Sequence, residues 1–589
     1  MAVMKNFLMG NELIALAAYN AGVRSAYAYP GTPSSEILEY FSKISDEVYA
    51  QWSINEKIAL ELAGAEAISG KYVLCSMKQV GLNVAADPFF SIAYTGVKGA
   101  LVIASADDPG PYSSQTEQDS RMYAMSAKLP VFDPINPEDA YFLTKKAVDL
   151  SHKYEIPVMI RPVMRVCHSR QSIDVDIEKN NLIISNSFEK DTARWAATPK
   201  FRKQLHSILN QKLKDISNKY YKEFKINKKS DFAVVGSGYS FAMAMDIVAE
   251  DGLNIDLYKL DLPFPLSDEL IKSLLEEYEK ILVIEETQPV IEMQFARRDK
   301  VFGRLNDFIT NMGELTYQYL QSKLYQFLGK QNEIEEFDVN VKSAKPRLCP
   351  GCGHRPAFYA IKKVAKNRGI FPGDIGCYTL GVNLEAVDTC ICMGASVTFA
   401  EGLKRANNDK VVIATIGDST FFHTGVPALI NAVANDSKIV LAILDNETTA
   451  MTGFQPVPHK HKKISIERVV KGCGVDFCKT IDPYDFDGSI RLLNEAIEYS
   501  EKNSTPAVVI FKHPCITKIK YKGKKKVVIT DKCKNCKICY EKFECPAIFE
   551  DKLANAAKID ELLCVNCGVC MSVCPFDAIA YVDEVDDEV

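Results

Sequence analysis

The feature that most constrains this chain is a concentration of cysteines, since eight of its 18 cysteines lie between Cys533 and Cys574. They form two runs that each end in Cys-Pro: Cys533, Cys536, Cys539 and Cys545, then Cys564, Cys567, Cys570 and Cys574. The second run fits the C-x2-C-x2-C-x3-C-P spacing that holds a cubic iron–sulfur cluster. A pair of zinc knuckles is the alternative, but the prolines and the third C-x2-C step favour iron–sulfur.

The two runs also predict how the ligands are shared. In two-cluster ferredoxins the fourth cysteine of each run binds the other cluster. We therefore expect one [4Fe-4S] cluster on Cys533, Cys536, Cys539 and Cys574, and a second on Cys545, Cys564, Cys567 and Cys570. The first run has five residues before its last cysteine where three are usual, and we interpret them as a loop that is tolerated because Cys545 serves the neighbouring cluster.

The remaining sequence predicts several α/β domains. A chain of 589 residues is too long for one hydrophobic core. Amphipathic segments alternate with apolar runs such as KGALVIASA, KVVIATIGD and KIVLAILDN, which is typical of strands and crossover helices. The expected organisation is an α/β domain at 1–185, a polar linking segment at 186–228, α/β domains at 229–335 and 345–517, and an α+β two-cluster ferredoxin-type domain at 526–589.

Composition and charge limit the classes of partner and the cellular compartment that we expect for this chain. The net charge is -6, with 70 basic and 76 acidic residues, so the charge balance favours neither nucleic acid nor an anionic membrane as partner. No apolar run reaches the roughly 18 residues of a membrane span. The start of the chain lacks the pattern of a signal peptide, and clustered thiols without an export signal favour metal binding over disulfides. We expect a cytoplasmic protein.

A second chemical motif begins at the end of the strand-like run KVVIATIGD. Gly417, Asp418 and Ser419 place a carboxylate beside a helix N-terminus, which suits a magnesium ion and a diphosphate. The spacing to Asn446 resembles the thiamine diphosphate fingerprint, in which the aspartate, the asparagine and the carbonyl of Thr448 would hold Mg²⁺. An ordinary strand–turn–helix junction is the alternative.

Thiamine chemistry also needs a carboxylate on the aminopyrimidine of the cofactor. The segment 52–67 offers Glu56, Glu61 and Glu66. The latter two lie inside a predicted helix and are interpreted as solvated. Glu56 lies at the helix opening and is followed by a strand-to-glycine turn at CSMKQVGLN, so we expect it to be the catalytic carboxylate.

Five motifs in order give a family resemblance: YPGTPSS (29–35), NEKIALE (55–61), LCPGCGH (348–354), GCYTLG (376–381) and GDSTFFHTG (417–425). Together with the ferredoxin-type tail, they resemble the α subunits of indolepyruvate ferredoxin oxidoreductases, within the 2-oxoacid:ferredoxin oxidoreductases. The resemblance implies a pyrimidine-binding domain (1–185), a transketolase C-terminal-like domain (229–335) and a diphosphate-binding domain (345–517). It also implies that Thr32 contacts the substrate end of the cofactor.

The resemblance further implies a third cluster, on Cys349, Cys352, Cys377 and Cys515. A reactive dithiol or a cofactor-contacting turn at CPGC is the alternative. The implied reaction takes a 2-oxoacid, here indole-3-pyruvate, with coenzyme A as co-substrate, and reduces ferredoxin. A β subunit is the implied partner.

Other interpretations stay open. The chain reads TGFQPVP (452–458) where this family commonly has TGHQPHP, so the substrate could be another 2-oxoacid. A scaffold or electron-transfer subunit with a degenerate thiamine site is an alternative from another class. The basic run that begins at His459 is interpreted as a solvated loop, with contact to phosphates as the alternative.

Overall fold

Many of the apolar runs form buried parallel strands in the structure, which is a computed structural model. It describes residues 6–178, 187–196, 198–221, 224, 226–330, 345–461 and 463–582. The chain forms two compact units, residues 1–339 and 340–589. The expected domain boundaries at 185/186 and 335, and the end at 589, lie outside the described residues.

The first unit contains two parallel sheets and one antiparallel pair. Its strands are β1 (Asn6–Met9), β2 (Ser25–Ala28), β3 (Tyr49–Trp52), β4 (Tyr72–Lys78), β5 (Ala100–Ala106), β6 (Val131–Phe132), β7 (Val158–Ile160), β8 (Arg170–Ile173), β9 (Phe232–Gly236), β10 (Asp256–Lys259), β11 (Lys280–Ile284) and β12 (Val301–Phe302). The six-stranded sheet has the order β3-β2-β4-β5-β7-β6, the four-stranded sheet has the order β10-β9-β11-β12, and β1 pairs with β8. Every residue of β4 and β5 is buried, as expected for parallel strands covered on both faces.

Helices connect these strands. They are α1 (Gly10–Asn20), α2 (Ser35–Ile44), α3 (Glu56–Ile68), α4 (Gln79–Val84), α5 (Ala86–Thr95), α6 (Ser120–Ala127), α7 (Pro137–Tyr154), α8 (Met164–His168), α9 (Thr192–Trp195), α10 (Pro199–Tyr220), α11 (Gly238–Glu250), α12 (Asp268–Glu277) and α13 (Tyr317–Phe327). The long helix α10 falls in the segment interpreted as a linker. Its buried Leu209 and Ile216 belong to the core of the six-stranded sheet, so this part of the segment packs as a helix of the unit.

The second unit contains a five-stranded parallel sheet. Its strands and helices are α14 (His354–Ala365), β13 (Gly369–Ile370), α15 (Ala395–Ala406), β14 (Val411–Gly417), α16 (Asp418–Thr420), α17 (Val426–Ala434), β15 (Val440–Asp445), α18 (Ile466–Gly472), β16 (Cys478–Ile481), α19 (Phe486–Asn503), β17 (Ala507–Lys512) and α20 (Ile516–Ile519). The strand order is β13-β14-β15-β17-β16, and all registers are parallel. The α/β class predicted from the sequence is confirmed for both units.

The cysteine-rich tail forms two antiparallel pairs in the same unit. Its strands are β18 (Lys526–Ile529), β19 (Ile548–Asp551), β20 (Ala556–Ile559) and β21 (Ile579–Val582), with β18 paired to β21 and β19 to β20. Phe543, Val569 and Val573 of the tail join a hydrophobic cluster that also contains Phe358 and Ile361 of α14. The tail therefore packs on α14 and is continuous with the core beneath it.

Among the described residues, no helix combines the length and the apolar character needed to cross a membrane.

Candidate functional site

Glu56 is the first residue of α3 and is 6% exposed. Asn55 caps this helix, because its side chain accepts a hydrogen bond from the backbone N–H of Ile58 at 2.9 Å. The cap fixes where the helix begins and so fixes the direction of the Glu56 side chain. By contrast, Glu61 is exposed and paired with Lys57.

The glycine turn after β4 makes room for the Glu56 carboxyl group. A Cβ atom built on Gly81 would lie 2.4 Å from Oε1 and 2.8 Å from Cδ of Glu56. Only hydrogen fits there. The strand-to-glycine turn seen in the sequence and the glutamate at the opening of α3 thus form one packed feature.

A buried lysine that the sequence reading did not select lies at the end of β4. Lys78 is 8% exposed, and its Nζ donates to the carbonyl of Ser113 at 2.6 Å and to Ser113 Oγ at 3.2 Å. Ser113 Oγ in turn donates to the carbonyl of Thr32 at 3.5 Å. Burial lowers the pKa of Lys78 to about 8, although the nearby carboxylate of Asp108 opposes the shift. The structure thus brings Thr32 into a polar group with Lys78.

In the second unit, strand register brings two aspartates together. Gly417 of β14 lies opposite Leu444 of β15 in a parallel pair, so the residues that follow, Asp418 and Asp445, meet at the same sheet edge. Ligand atoms of Asp418, Asp445 and His459 all lie within 4.8 Å of one another, which suits a metal ion. His459 Nε2 is 2.9 Å from Asp445 Oδ1 and 3.7 Å from Asp418 Oδ2.

The electrostatics of this group favour a cation. Asp418 Oδ2 is buried and has no hydrogen-bond partner among the described residues. Burial, and then the negative charge of Asp445, raise the pKa of Asp418 to about 8. For Asp445 burial acts in the same direction, but the hydrogen bond and charge of His459 prevail and lower its pKa. A divalent ion would satisfy the unpaired oxygen and stabilise the ionised form of Asp418.

The other residues of the expected magnesium site lie on the loop after β15. Asn446 Oδ1 accepts a hydrogen bond from the backbone N–H of Thr448 at 3.2 Å, and Ser419 Oγ accepts one from Thr449 Oγ1 at 3.2 Å. A Cβ atom on Gly417 would lie 2.1 Å from the Tyr378 ring. The described contacts thus link this loop to the Gly417–Ser419 turn, while the ligand atoms grouped with Asp418 belong to Asp445 and His459.

The four cysteines of the implied third cluster line one cavity of about 150 Å³. The lining includes Cys349, Cys352, Cys377 and Cys515, and also Asn446 and His354. Asn446 Nδ2 is 3.3 Å from His354 Nε2. Burial, and then the nearby Cys349 and Cys515 thiols, raise the pKa of Cys377 to about 11. Thiols held this close are a donor set for a metal centre, whose positive charge would reverse that shift.

The tail brings its eight cysteines into two groups. One cavity of about 20 Å³ is lined by Cys533, Cys536, Cys539 and Cys574. Another of about 20 Å³ is lined by Cys545, Cys564, Cys567 and Cys570, together with Cys352. Backbone N–H groups donate to sulfur at 3.4 Å, from Ala557 to Cys533 and from Ala578 to Cys574, as is common around clusters.

At the loop that begins with His459, the structure corrects the sequence interpretation for one residue, His459 itself. We expected a solvated run, and Lys460 is exposed accordingly. The His459 side chain, however, is only 6% exposed and stacks on Phe422 with ring centroids 5.8 Å apart. Because the neighbours of His459 in the sequence are basic, the charge pattern predicted an exposed loop and could not show that this histidine is buried.

Profiles of three known families match separate parts of the chain. The thiamine diphosphate-binding domain of pyruvate flavodoxin/ferredoxin oxidoreductases matches residues 16–220. The C-terminal TPP-binding domain of thiamine pyrophosphate enzymes matches residues 374–511, and a 4Fe-4S binding domain matches residues 557–580. The matches cover the regions that hold Glu56, Asp418 and the second cysteine run.

Curated relatives match along almost the whole chain. It is 37% identical to the indolepyruvate oxidoreductase subunit IorA of Archaeoglobus fulgidus, over 98% of this chain and 97% of that protein. The IorA subunit of Methanothermobacter thermautotrophicus is also 37% identical, with the same shares covered. Among solved structures, 2-oxoglutarate:ferredoxin oxidoreductase from Magnetococcus marinus matches with a TM-score of 0.45 and 14% identity, covering 55% of this chain and 65% of that chain.

Proposed function

The chain belongs to the family of indolepyruvate oxidoreductase IorA subunits, and from that premise we propose that it oxidatively decarboxylates arylpyruvates. The reaction is indole-3-pyruvate plus coenzyme A and two oxidised ferredoxins to indoleacetyl-CoA, carbon dioxide, two reduced ferredoxins and a proton. Two electrons leave the substrate, and each ferredoxin accepts one of them.

One observation carries the redox part of this proposal. Asn446, expected to help hold Mg²⁺, lines the same cavity as Cys352, and Cys352 also lines the cavity of the second tail cysteine group. Thiol donors therefore continue from the metal-binding loop into the tail. A decarboxylase without electron transfer has no use for such a series.

The residues fit thiamine diphosphate and magnesium in chemical type. When bound, thiamine diphosphate supplies a carbon nucleophile and accepts the electron pair left as carbon dioxide departs. Asp418, with its unpaired buried oxygen, is the principal Mg²⁺ ligand in this proposal, with Asn446 and the Thr448 carbonyl. Glu56, buried at the start of α3, would hydrogen-bond the aminopyrimidine of the bound cofactor and so direct proton movement there.

Lys78 and Thr32 are proposed to face the substrate. A buried ammonium group attracts the carboxylate of a 2-oxoacid more strongly than an exposed one, because water screens it less. Its contact with Ser113 holds the ammonium beside the Thr32 turn. In this proposal Lys78 orients the acid and Thr32 contacts the reacting end of the cofactor.

The twelve cysteines that line the three cavities are proposed as ligands of three [4Fe-4S] clusters, with the assignments given by the sequence. Such clusters carry single electrons, and their thiolate ligands require a reducing compartment, so we propose a cytoplasmic location. A β subunit and ferredoxin are the proposed partners.

The test is an anaerobic assay of the chain with its β subunit. Indole-3-pyruvate, phenylpyruvate, pyruvate or 2-oxoglutarate is added with coenzyme A, and cluster reduction is followed by the loss of visible absorbance. We expect rapid bleaching by the arylpyruvates. Bleaching by pyruvate alone would contradict the substrate assignment, and an iron-replete protein that no acid bleaches would support the scaffold alternative.

Two variants test the role of Glu56. E56Q keeps the size of the side chain but removes the carboxylate, so bleaching should be lost while iron content is unchanged. E61Q is the matched control, because Glu61 is an exposed residue of the same helix. Full activity of E56Q would reject the assigned role.

A further inference from the structure

Arg355 is a buried cation in the first turn of α14, directly after the CPGCGH motif. It is 2% exposed. Among the described residues, its guanidinium group donates to backbone carbonyls alone: Nη1 to Phe543 (3.2 Å) and Glu544, and Nη2 to Leu348 and Cys349 (3.2 Å). These contacts tie the segment before Cys349 to the segment before Cys545.

No carboxylate is hydrogen-bonded to this guanidinium in the part of the chain that the structure describes. Glu544, whose backbone carbonyl accepts from Arg355, directs its carboxylate Oε1 to Lys345 at 3.1 Å and to Arg347 at 3.8 Å. The ionisable groups around Arg355 include the thiol groups of Cys545 and Cys352 as well as Glu544. A buried charge needs compensation, and here the carbonyl dipoles supply only part of it.

The position of Arg355 coincides with the junction of two thiol-lined cavities. Arg355 lines the cavity of the second tail group, and Cys352 lines both that cavity and the one shared with Cys349, Cys377 and Cys515. By contrast, Arg355 does not line the cavity of Cys533, Cys536, Cys539 and Cys574. The cation therefore lines one proposed cluster site, and its contact with the Cys349 carbonyl places it beside the lining of a second.

We propose that Arg355 sets the reduction potential of the clusters at this junction, an inference that rests on the proposed clusters. Reduction adds negative charge to a cluster, and a buried cation beside it stabilises the reduced form. Arg355 thereby makes the junction a better electron acceptor than its thiolates alone would. It acts through the clusters and is a positioning residue, because it touches neither substrate nor thiamine diphosphate.

The experiment is an anaerobic potentiometric titration of the full chain, followed by electron paramagnetic resonance, after the iron content has been measured. R355Q removes the charge and retains hydrogen-bond donors. We expect the potential of at least one reduction step to become lower. The expected shift corresponds to a tenfold change in the equilibrium constant of that step, which is about 59 mV for one electron. R355K keeps the charge and should stay near the wild-type value.

Two comparisons separate the charge effect from other causes. The step of the cluster on Cys533, Cys536, Cys539 and Cys574 should not move in R355Q. K363Q removes a charge from an exposed position on the same helix, and its potentials should match those of the wild type. Unmoved potentials in an iron-replete R355Q would overturn the proposal, as would an equal shift in R355K.

A second variant covers the case in which R355Q loses its iron. E544Q removes the adjacent negative charge and leaves the backbone carbonyl that Arg355 contacts. The same steps should then shift to higher potential, and unmoved potentials in E544Q would overturn the proposal. Wild-type protein that assembles no iron would contradict the proposed function itself, which distinguishes that failure from this one.

Discussion

Replacing Gly81 with alanine should displace the Glu56 carboxyl group while leaving the fold intact. The added Cβ would lie 2.4 Å from Oε1, 2.7 Å from Cγ and 2.8 Å from Cδ of Glu56. Gly81 lies in α4 and has no positive φ, so alanine suits the backbone there. The substitution therefore acts through the space that Glu56 occupies.

The size of the effect follows from the distances. An ordinary van der Waals contact begins at about 3.4 Å, so the carboxyl group must retreat by about 1 Å. A misplacement of 1 Å in a reacting group can reduce the rate by about 100-fold. That corresponds to about 2.7 kcal/mol in activation free energy. We expect kcat of G81A to fall by about this factor, with a much smaller change in the KM for the 2-oxoacid.

The assay combines steady-state cluster reduction with proton–deuterium exchange at the thiazolium C2 of bound thiamine diphosphate. Both rates should fall together, because Glu56 is proposed to direct proton movement at the cofactor. G64A is the matched control: Gly64 lies in the same helix as Glu56, and its new Cβ would meet only the flexible end of Ile92 at 2.6 Å. A thermal melt of each variant reports on folding.

Two results would refute the reasoning. One is a G81A protein with an unchanged melting temperature and a kcat within threefold of the wild type, since Glu56 would then not need its position. The other is an equal loss in G64A, because the effect would then come from the helix and not from the carboxyl group.

Three further predictions concern the metal, the pH dependence and the clusters. D418N should weaken Mg²⁺-dependent binding of thiamine diphosphate at least tenfold in a titration followed by calorimetry, whereas D409N, at an exposed aspartate, should not. Burial raises the pKa of the Glu286 carboxyl group in the folded chain from its ordinary 4.5 to about 7. Because the unfolded chain loses this proton at the lower pH, the free energy of unfolding decreases as the pH rises from 4.5 to 7. The free energy of unfolding of E286Q, measured by chemical denaturation, should therefore increase relative to that of the wild type across this pH range, by up to about 3 kcal/mol. A difference between the two proteins that does not change with pH would contradict this. C574S should lower the iron content by about four atoms per chain and abolish the paramagnetic signal of only one tail cluster.

The sequence predicted the strands well because parallel strands are buried on both faces and appear as continuous apolar runs. KGALVIASA contains β5, and KVVIATIGD contains β14. The two tail cysteine groups also followed from spacing, since cluster ligands recur at fixed short intervals. These features are local, and the sequence displays them directly.

Features that depend on strand register were not predictable. Asp445 stands one position before the selected Asn446, and only the pairing of Gly417 with Leu444 shows that it lies beside Asp418. His459 completes that group from a loop whose basic neighbours suggested solvent. Side-chain contacts across such distances leave no periodic signal in a single sequence.

The role of Arg355 could not be predicted from the sequence for a different reason. Its partners are backbone carbonyls, and one of them, that of Phe543, lies 188 residues away in the chain. Every residue has a backbone carbonyl, so the residue types at positions 543 and 544 do not indicate a contact with Arg355. An arginine after CPGCGH reads simply as the start of a helix.

The irregular first cysteine run gains a physical explanation from the same contacts. We interpreted its five-residue gap as a loop tolerated before Cys545, but Phe543 is 2% exposed and packs edge-on against Tyr359 of α14, with ring centroids 5.5 Å apart. The gap residues thus supply a buried ring to α14 and the carbonyls of Phe543 and Glu544 to Arg355. A standard three-residue spacing could still present the thiol of Cys545, but it would have two residues fewer with which to form these contacts. The extra length therefore helps to dock the tail on the α/β domain, in addition to being tolerated before Cys545.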